Sequence, residues 1–188
     1  MLRSMMIFIA TACAVAPAAH ADIAGLSLKI EPIIGYEIVQ KFVPTNHTSS
    51  RLIYGARVTG GFLILSLESE YTHGTDSETF PAQSLSTTDT ADKLKIGLRS
   101  GYRLGALLSL YARGGVQATQ NRHDQTQSGV STSSLDPIIY RPYAGADFNF
   151  DLGSKISATA GVVVVFNNIN DMSKNEYQTV AGLSAHFP

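Results

Sequence analysis

From residue 138 to residue 166 every second side chain is apolar, and the alternation resumes after a turn. Tyr140, Ala144, Ala146, Phe148, Phe150 and Leu152 alternate with Arg141, Tyr143, Gly145, Asp147, Asn149 and Asp151. After Gly153-Ser154, the residues Ile156, Ala158, Ala160, Val162, Val164 and Phe166 alternate with Ser157, Thr159 and Gly161. A side-chain period of two belongs to a strand, so this stretch predicts a β-hairpin. Each arm has roughly ten residues, about twice an ordinary strand. That is the length, about nine to eleven tilted residues, at which a strand crosses a bilayer.

The rest of the chain repeats the unit. Leu26, Leu28, Ile30, Ile34, Tyr36 and Ile38 form the apolar face of a first strand, and a polar loop follows at 44–50. Leu52, Tyr54, Ala56 and Val58 mark a second strand, which turns at Gly60-Gly61 into a third carrying Leu63, Leu65, Leu67 and Tyr71. A polar segment at 73–92 precedes a fourth strand (Leu94, Ile96, Leu98, Tyr102), and a short turn leads to a fifth (Leu108, Leu110, Ala112, Gly114, Val116). A second polar segment at 120–136 precedes the opening hairpin, strands six and seven. After a loop at 167–176, Tyr177, Thr179, Ala181, Leu183, Ala185 and Phe187 mark an eighth strand.

Residues 1–21 read as a removable export signal: Arg3, an apolar run, then Ala19-His20-Ala21 as the cleavage pattern. The expected mature domain is 22–188, and the single cysteine, Cys13, falls in the leader, which excludes disulfide and thiol chemistry from the mature chain. Acidic and basic residues nearly balance, 15 against 14, with no basic block of the kind that binds nucleic acid. No apolar run reaches the roughly eighteen residues of a membrane helix.

Alternating strands also make soluble sandwiches, and three features separate the two. Short turns and longer polar connections alternate strictly, as they do at the two ends of a membrane barrel. Aromatic residues on the apolar face gather at strand ends: Tyr54, Tyr71, Tyr140, Phe166 and Tyr177 near the long connections, and Phe62, Tyr102, Phe148, Phe150 and Phe187 near the short turns or the terminus. Two interfacial girdles account for that distribution. The opposite face combines Gly and Ser with both signs of charge. Backbone groups find no water in hydrocarbon, so the strands must close on themselves. The sequence therefore predicts an all-β, eight-stranded antiparallel up-and-down transmembrane β-barrel. Pro32 and Pro142 lack the N–H of a regular ladder and predict a bulge or a missing bond.

The chain resembles the small eight-stranded outer-membrane barrels of the OmpA/OmpX type over 26–187. The last strand, from Tyr177 to its aromatic end at Phe187, resembles that family's C-terminal insertion signal, here followed by Pro188. The segments 141–147 and 101–105 also look like parts of small porin-family barrels. The resemblance implies a cell outer membrane location, contact with outer-membrane lipid, insertion by the barrel assembly machinery, and an extracellular ligand or surface at the long loops.

An eight-stranded barrel is only wide enough for side chains to fill it. The inward face carries Lys29, Glu31, Glu37, Arg57, Glu68, Glu70, Lys93, Lys95, Arg99, Arg113, Arg141 and Asp147. Buried charge is costly unless paired, so an internal ion-pair network is expected, with Glu68 and Glu70 facing Lys93, Lys95 or Arg99. The functional expectation is a non-enzymatic, membrane-anchored scaffold for structural or surface-interaction roles, with a filled lumen and polar external loops. The alternatives are a small pore or uptake channel, and a lipid A-modifying hydrolase built from His47 and Ser49 with Asp76, Glu78 or Asp89. That last set falls in a predicted loop rather than on a rigid strand, so no catalytic residues are assigned. His73, His123 and Asp124 show no fixed ligand spacing, and neither a metal nor a cofactor is expected. His186 is expected to face inward.

Overall fold

A computed structural model describes residues 21–23, 26–41, 45–62, 64–153 and 156–185. Ten strands follow in order: β1 (Ala21–Ile23), β2 (Leu26–Lys41), β3 (His47–Gly61), β4 (Ser66–Phe80), β5 (Leu85–Arg103), β6 (Leu108–Gln127), β7 (Val130–Leu135), β8 (Ile139–Asp151), β9 (Ile156–Val165) and β10 (Glu176–Ala185). Antiparallel neighbours run β2-β3-β4-β5-β6-β8-β9-β10, and β10 pairs back onto β2, closing an eight-stranded barrel. The short β1 lies against the start of β2, and β7 pairs with the far half of β6. Of the expected leader, only Ala21 is described, paired with Leu28; His186, Phe187 and Pro188 also lie outside the described residues.

The apolar face points outward. Ile34, Tyr36, Leu52, Tyr54, Leu67, Ile96, Leu98, Val116, Phe148, Val162 and Leu183 are exposed on the wall, where in water they would be a liability and in lipid they are solvated. Of the girdle residues, Tyr54, Phe62, Tyr102, Tyr140, Phe148, Phe150 and Tyr177 are exposed, and Tyr71 and Phe166 half-buried. The turn at Phe62–Leu65 closes with reciprocal backbone bonds of 2.9 and 3.1 Å, and Leu104 and Leu152 close the other two tight turns.

At the opposite end the structure departs from the expected loops. Residues 73–92 are the ends of β4 and β5, which continue to a 3₁₀ turn at Pro81–Gln83. Likewise 120–136 is the end of β6 paired with β7, joined by Ser128 and Gly129 at φ 50° and 83°, both positive as a two-residue type I′ hairpin requires. His47 to Ser50 begin β3 rather than sitting in a loop. β5 has 19 residues and β6 has 20, about twice what the bilayer needs, whereas β9 and β10 have 10 each. The surplus makes a four-stranded sheet standing outside the membrane. Alternation does not announce it, because its residues are mostly polar on both faces, although Leu85, Thr87 and Ala91 are buried on one of them. β-branched Thr and hydroxyl pairs across strands, Thr75–Thr90, Ser77–Thr88 and Thr126–Ser131, hold it instead.

Neither proline makes a bulge. The β2–β3 register is constant through Pro32↔Ala56, and β6–β8 through Val116↔Pro142. Each proline lies just beyond the end of its other ladder: β10 pairs with β2 from Ile33 onward, and β9 with β8 from Tyr143 onward. At Pro142 the expected missing bond is visible: Phe166 N–H donates to the Pro142 carbonyl at 2.9 Å, and the proline has no N–H to return the bond.

Candidate functional site

The lumen is lined by every second residue of each strand, and its side chains meet in tiers. In the middle tier Arg57 donates through Nε to Glu70 (2.9 Å) and lies 2.8 Å from it through Nη2, while Nη1 donates to Asp147 (3.3 Å). Lys95 and Arg113 each donate to Glu70 at 2.6 Å, and Arg113 also reaches Glu68 at 2.8 Å. Tyr143 adds its phenol to Glu68. Arg99 lies 3.6 Å from Asp147 and stacks its guanidinium 3.7 Å from the centre of the Tyr111 ring. Toward the short-turn end, Lys29 contacts Glu31 (3.3 Å) and Asn149 (3.3 Å). Two glycines make room for carboxylates: a Cβ at Gly161 would fall 1.8 Å from Asp147 Oδ1, and one at Gly182 would fall 2.1 Å from Glu31 Oε1.

The upper tier is built around two carboxylates. Glu37 accepts from Lys93, from Arg51 Nε (2.5 Å) and from Gln178 (2.8 Å). Glu176 accepts from Lys93 and Gln178, both at 2.5 Å, with Gln117 at 3.5 Å. Apolar side chains fill the remaining space, among them Ile33, Ile53, Val163, Val165 and Val180.

Eleven of the charged residues singled out from sequence thus sit in one connected interior: Lys29, Glu31, Glu37, Arg57, Glu68, Glu70, Lys93, Lys95, Arg99, Arg113 and Asp147. The partners differ in detail. Glu68 meets Arg113, two strands away, rather than Lys93 or Lys95, and Lys93 crosses the lumen to Glu37. Arg141 is half-buried and makes no ion pair among the described residues; its neighbour on β6 is the neutral Gln117. Arg51, Glu176, Gln117 and Gln178 complete the upper tier without having been singled out. Arg51 and Glu176 are in phase with Arg57 and Gln178, and extending each strand by a residue pair would have found them.

Above the lumen, between the ends of β2, β3, β4, β5 and β6, lies a second cluster. Lys41 bridges Asp76, Asp89 (2.6 Å) and Glu78 (3.4 Å). Ser49 donates to Asp76 (3.2 Å), while His47 places Nε2 3.0 Å from Glu78 and Nδ1 2.8 Å from the Thr45 carbonyl. The shortest carboxylate contact of the hydroxyl is to Asp76 and that of the imidazole is to Glu78, and no hydrogen bond joins Ser49 to His47 among the described residues. His123 has Asp89 at 2.6 Å from Nδ1 and Asp136 at 3.1 Å from Nε2. A neutral imidazole has one N–H and can satisfy only one of two acceptors, so both rings are best served as imidazolium. For His47, hydrogen bonds to the Thr45 carbonyl and to Glu78 raise the pKa. Partial burial of His123 opposes its charge, but Asp89 and Asp136 outweigh that and raise its pKa. Burial works against the Asp89 carboxylate too, and hydrogen bonds from Lys41 and His123 hold it below the ordinary range. Asp124 pairs with Arg122 outside this cluster, and no group of His, Cys, Asp or Glu among the described residues has the arrangement of a metal site.

A closed barrel with an apolar outer wall and a charged, filled interior is a transmembrane β-barrel of the outer-membrane type. No family model and no curated relative matches the sequence. Among solved structures the chain is similar to the neisserial surface protein NspA, with a TM-score of 0.60 and 10% identity over 87% of this chain and 98% of that one. It is also similar to Ail, the attachment invasion locus protein of Yersinia pestis, in its complex with the heparin analogue sucrose octasulfate. There the TM-score is 0.56, with 12% identity over 87% of this chain and 99% of that one. The fold is that of the small eight-stranded outer-membrane barrels.

Proposed function

We propose that this chain is an outer-membrane surface protein in which the barrel is a sealed anchor and the projecting sheet is the working part. In this reading residues 1–21 direct export, the barrel assembly machinery inserts the strands, and no chemistry is catalysed. The observation that carries the reading is the unequal height of the wall. β4, β5 and β6 rise well past the girdle as an ordered sheet, while the lumen beneath is crossed by buried, paired charges.

The partner is a protein surface rather than a sulfated polyanion of the kind bound to Ail. The external end of this chain carries Asp76, Glu78, Asp89, Asp92, Asp124, Asp136 and Asp171 against Lys41, Arg122, Lys174 and the imidazoliums of His47 and His123, a net negative balance that disfavours polyanions. Hydroxyls cover the sheet, and the six residues of β7 are all exposed, without proline or charge to guard the free edge. The test has two parts. In a planar bilayer the folded chain should be electrically silent; discrete conductance steps would replace this proposal with a pore. On cells, the double substitution Ser131→Lys and Ser133→Lys should abolish adhesion to a protein-coated surface while leaving heat-shifted gel migration unchanged. Adhesion that survives it would remove the sheet edge from the proposal.

A further inference from the structure

On the lipid-facing wall a groove of about 350 Å³ runs along β6. Register explains it. Tyr71, Leu94, Ala118 and Tyr140 are successive neighbours across four strands, and Ala118 alone has nothing beyond Cβ, leaving a gap between Leu94 and Tyr140. Val116 continues the floor toward the membrane centre, and Ile96 the wall. The volume falls in the range of small-molecule sites, about 300–1,000 Å³.

The upper end of the groove is polar. Asp92 and Gln120 are cross-strand partners and both line it. Tyr71 donates to Asp92 Oδ1 at 2.6 Å, and His73 Nδ1 lies 2.9 Å from the same oxygen, with its ring 5.3 Å from that of Tyr54. Asp92 Oδ2 has no hydrogen-bond partner among the described residues. A carboxylate fixed by two donors on one oxygen and open on the other, beside an amide, is therefore set at the level of the aromatic girdle.

We infer that this groove binds a glycolipid of the outer leaflet, with an acyl chain along β6 and the sugar headgroup at Asp92, Gln120 and His73. The occupant follows from position: the groove opens into the hydrocarbon layer and ends at the depth where headgroups begin, marked by Tyr71 and Tyr140. The headgroup class follows from charge and hydrogen bonding. Sugar hydroxyls both donate and accept, which suits a carboxylate acceptor beside an amide and phenol rings. A phosphate at the same point would face the Asp92 carboxylate. The site is on the outside of the barrel wall and is independent of the sheet edge proposed above.

The experiment uses the full chain purified from outer membranes and placed in nanodiscs with equal amounts of digalactosyl-diacylglycerol and phosphatidylglycerol carrying the same acyl chains. Native mass spectrometry then reads the lipid that stays bound. The galactolipid should be retained in preference, and Ala118→Phe, which fills the groove from an outward position, should lower its retention by about tenfold or more. Asp92→Asn should abolish the preference between headgroups while an acyl chain still binds. Ala118→Leu repeats the first test with a smaller side chain if the Phe variant loses its heat-shifted migration. Equal retention of both lipids, or retention indifferent to filling the groove, overturns the proposal. So does a dimer without lipid that Ala118→Phe dissociates, which would give the groove to a second copy of the chain.

Discussion

Arg57 is the interior residue whose removal tests the lumen most directly. It is fully buried and lies within 4 Å of four carboxylates, at 2.8 Å from Glu70, 3.3 Å from Asp147, and 3.8 Å from Glu31 and Glu68. Arg57→Met keeps the bulk and removes the charge. Glu70 retains Lys95 and Arg113, but Asp147 is left with ionic contacts of 3.4 Å to Arg113 and 3.6 Å to Arg99. Breaking a buried pair from one side costs about 3–5 kcal/mol, and the remaining cations place this case near the lower figure. With a urea dependence of about 2–3 kcal/mol per molar, the unfolding midpoint should fall by about 1–2 M. The protein has no tryptophan, so far-UV circular dichroism and gel migration follow the transition. Glu70→Gln in the same chain restores the charge balance, and the double variant should lose less than the two single variants together by about 1–3 kcal/mol. A midpoint unchanged by Arg57→Met, or strictly additive single losses, would refute the claim that these charges are held by one another.

Gly161→Ala forces a methyl onto Asp147 Oδ1 and should destabilise the barrel by about 1–3 kcal/mol in the same urea assay; an unshifted midpoint would mean Asp147 has room to move. The mouth cluster should loosen with rising pH. His123 and His47 have raised folded pKa values, so their contribution is fully present below the ordinary value near 6.5 and is lost as pH climbs through the raised ones. Amide hydrogen exchange at 120–127 should therefore quicken, beyond its intrinsic pH dependence, as the pH rises above about 6.5. His123→Gln should erase the part of that change due to the clasp, and an unaltered profile in the variant would exclude it. Replacing 77–88 by a two-residue turn should leave membrane insertion and heat-shifted migration intact, because that hairpin stands clear of the bilayer; a chain that no longer folds would show that the projecting sheet supports the barrel.

The membrane-spanning part was legible in the sequence because lipid and lumen demand opposite chemistries of successive residues. Leu94-Lys95-Ile96 states the two faces in three letters. The projecting sheet was not legible, since Thr75, Ser77, Thr88 and Asp89 meet water or a polar mouth on either face, and their strand character resides in cross-strand pairing instead. The partners within the lumen were also hidden. Alternation says that Glu68 points inward but not how far the neighbouring strands are staggered, and that stagger brings it to Arg113. The sequence groups His47, Ser49, Asp76, Glu78 and Asp89 as a loop set, but it does not show the hairpin that holds them on strands, and it does not single out Lys41, which bridges the carboxylates.

An apolar filling would be less costly than a charged one, since replacing a buried ion pair by well-packed hydrocarbon is often neutral or stabilising. What such a filling would lose is register. A strand apolar on both faces could slip by one residue against its neighbours without penalty, whereas slipping β5 by one residue would turn Lys93, Lys95 and Arg99 into the lipid. At about 2–4 kcal/mol for a basic residue at the midplane, falling to about 0–1 near the interface where Lys93 lies, that error costs several kcal/mol, a large share of the stability of an ordinary domain. The same argument holds for Arg51 and Arg57 on β3 and for Arg113 on β6. Because β4 carries acids between the basic β3 and β5, with Glu70 between Lys95 and Arg57 on its two neighbours, the interior favours the observed register in that part of the wall. The charged residues that cross the lumen are thus the same ones that align the strands.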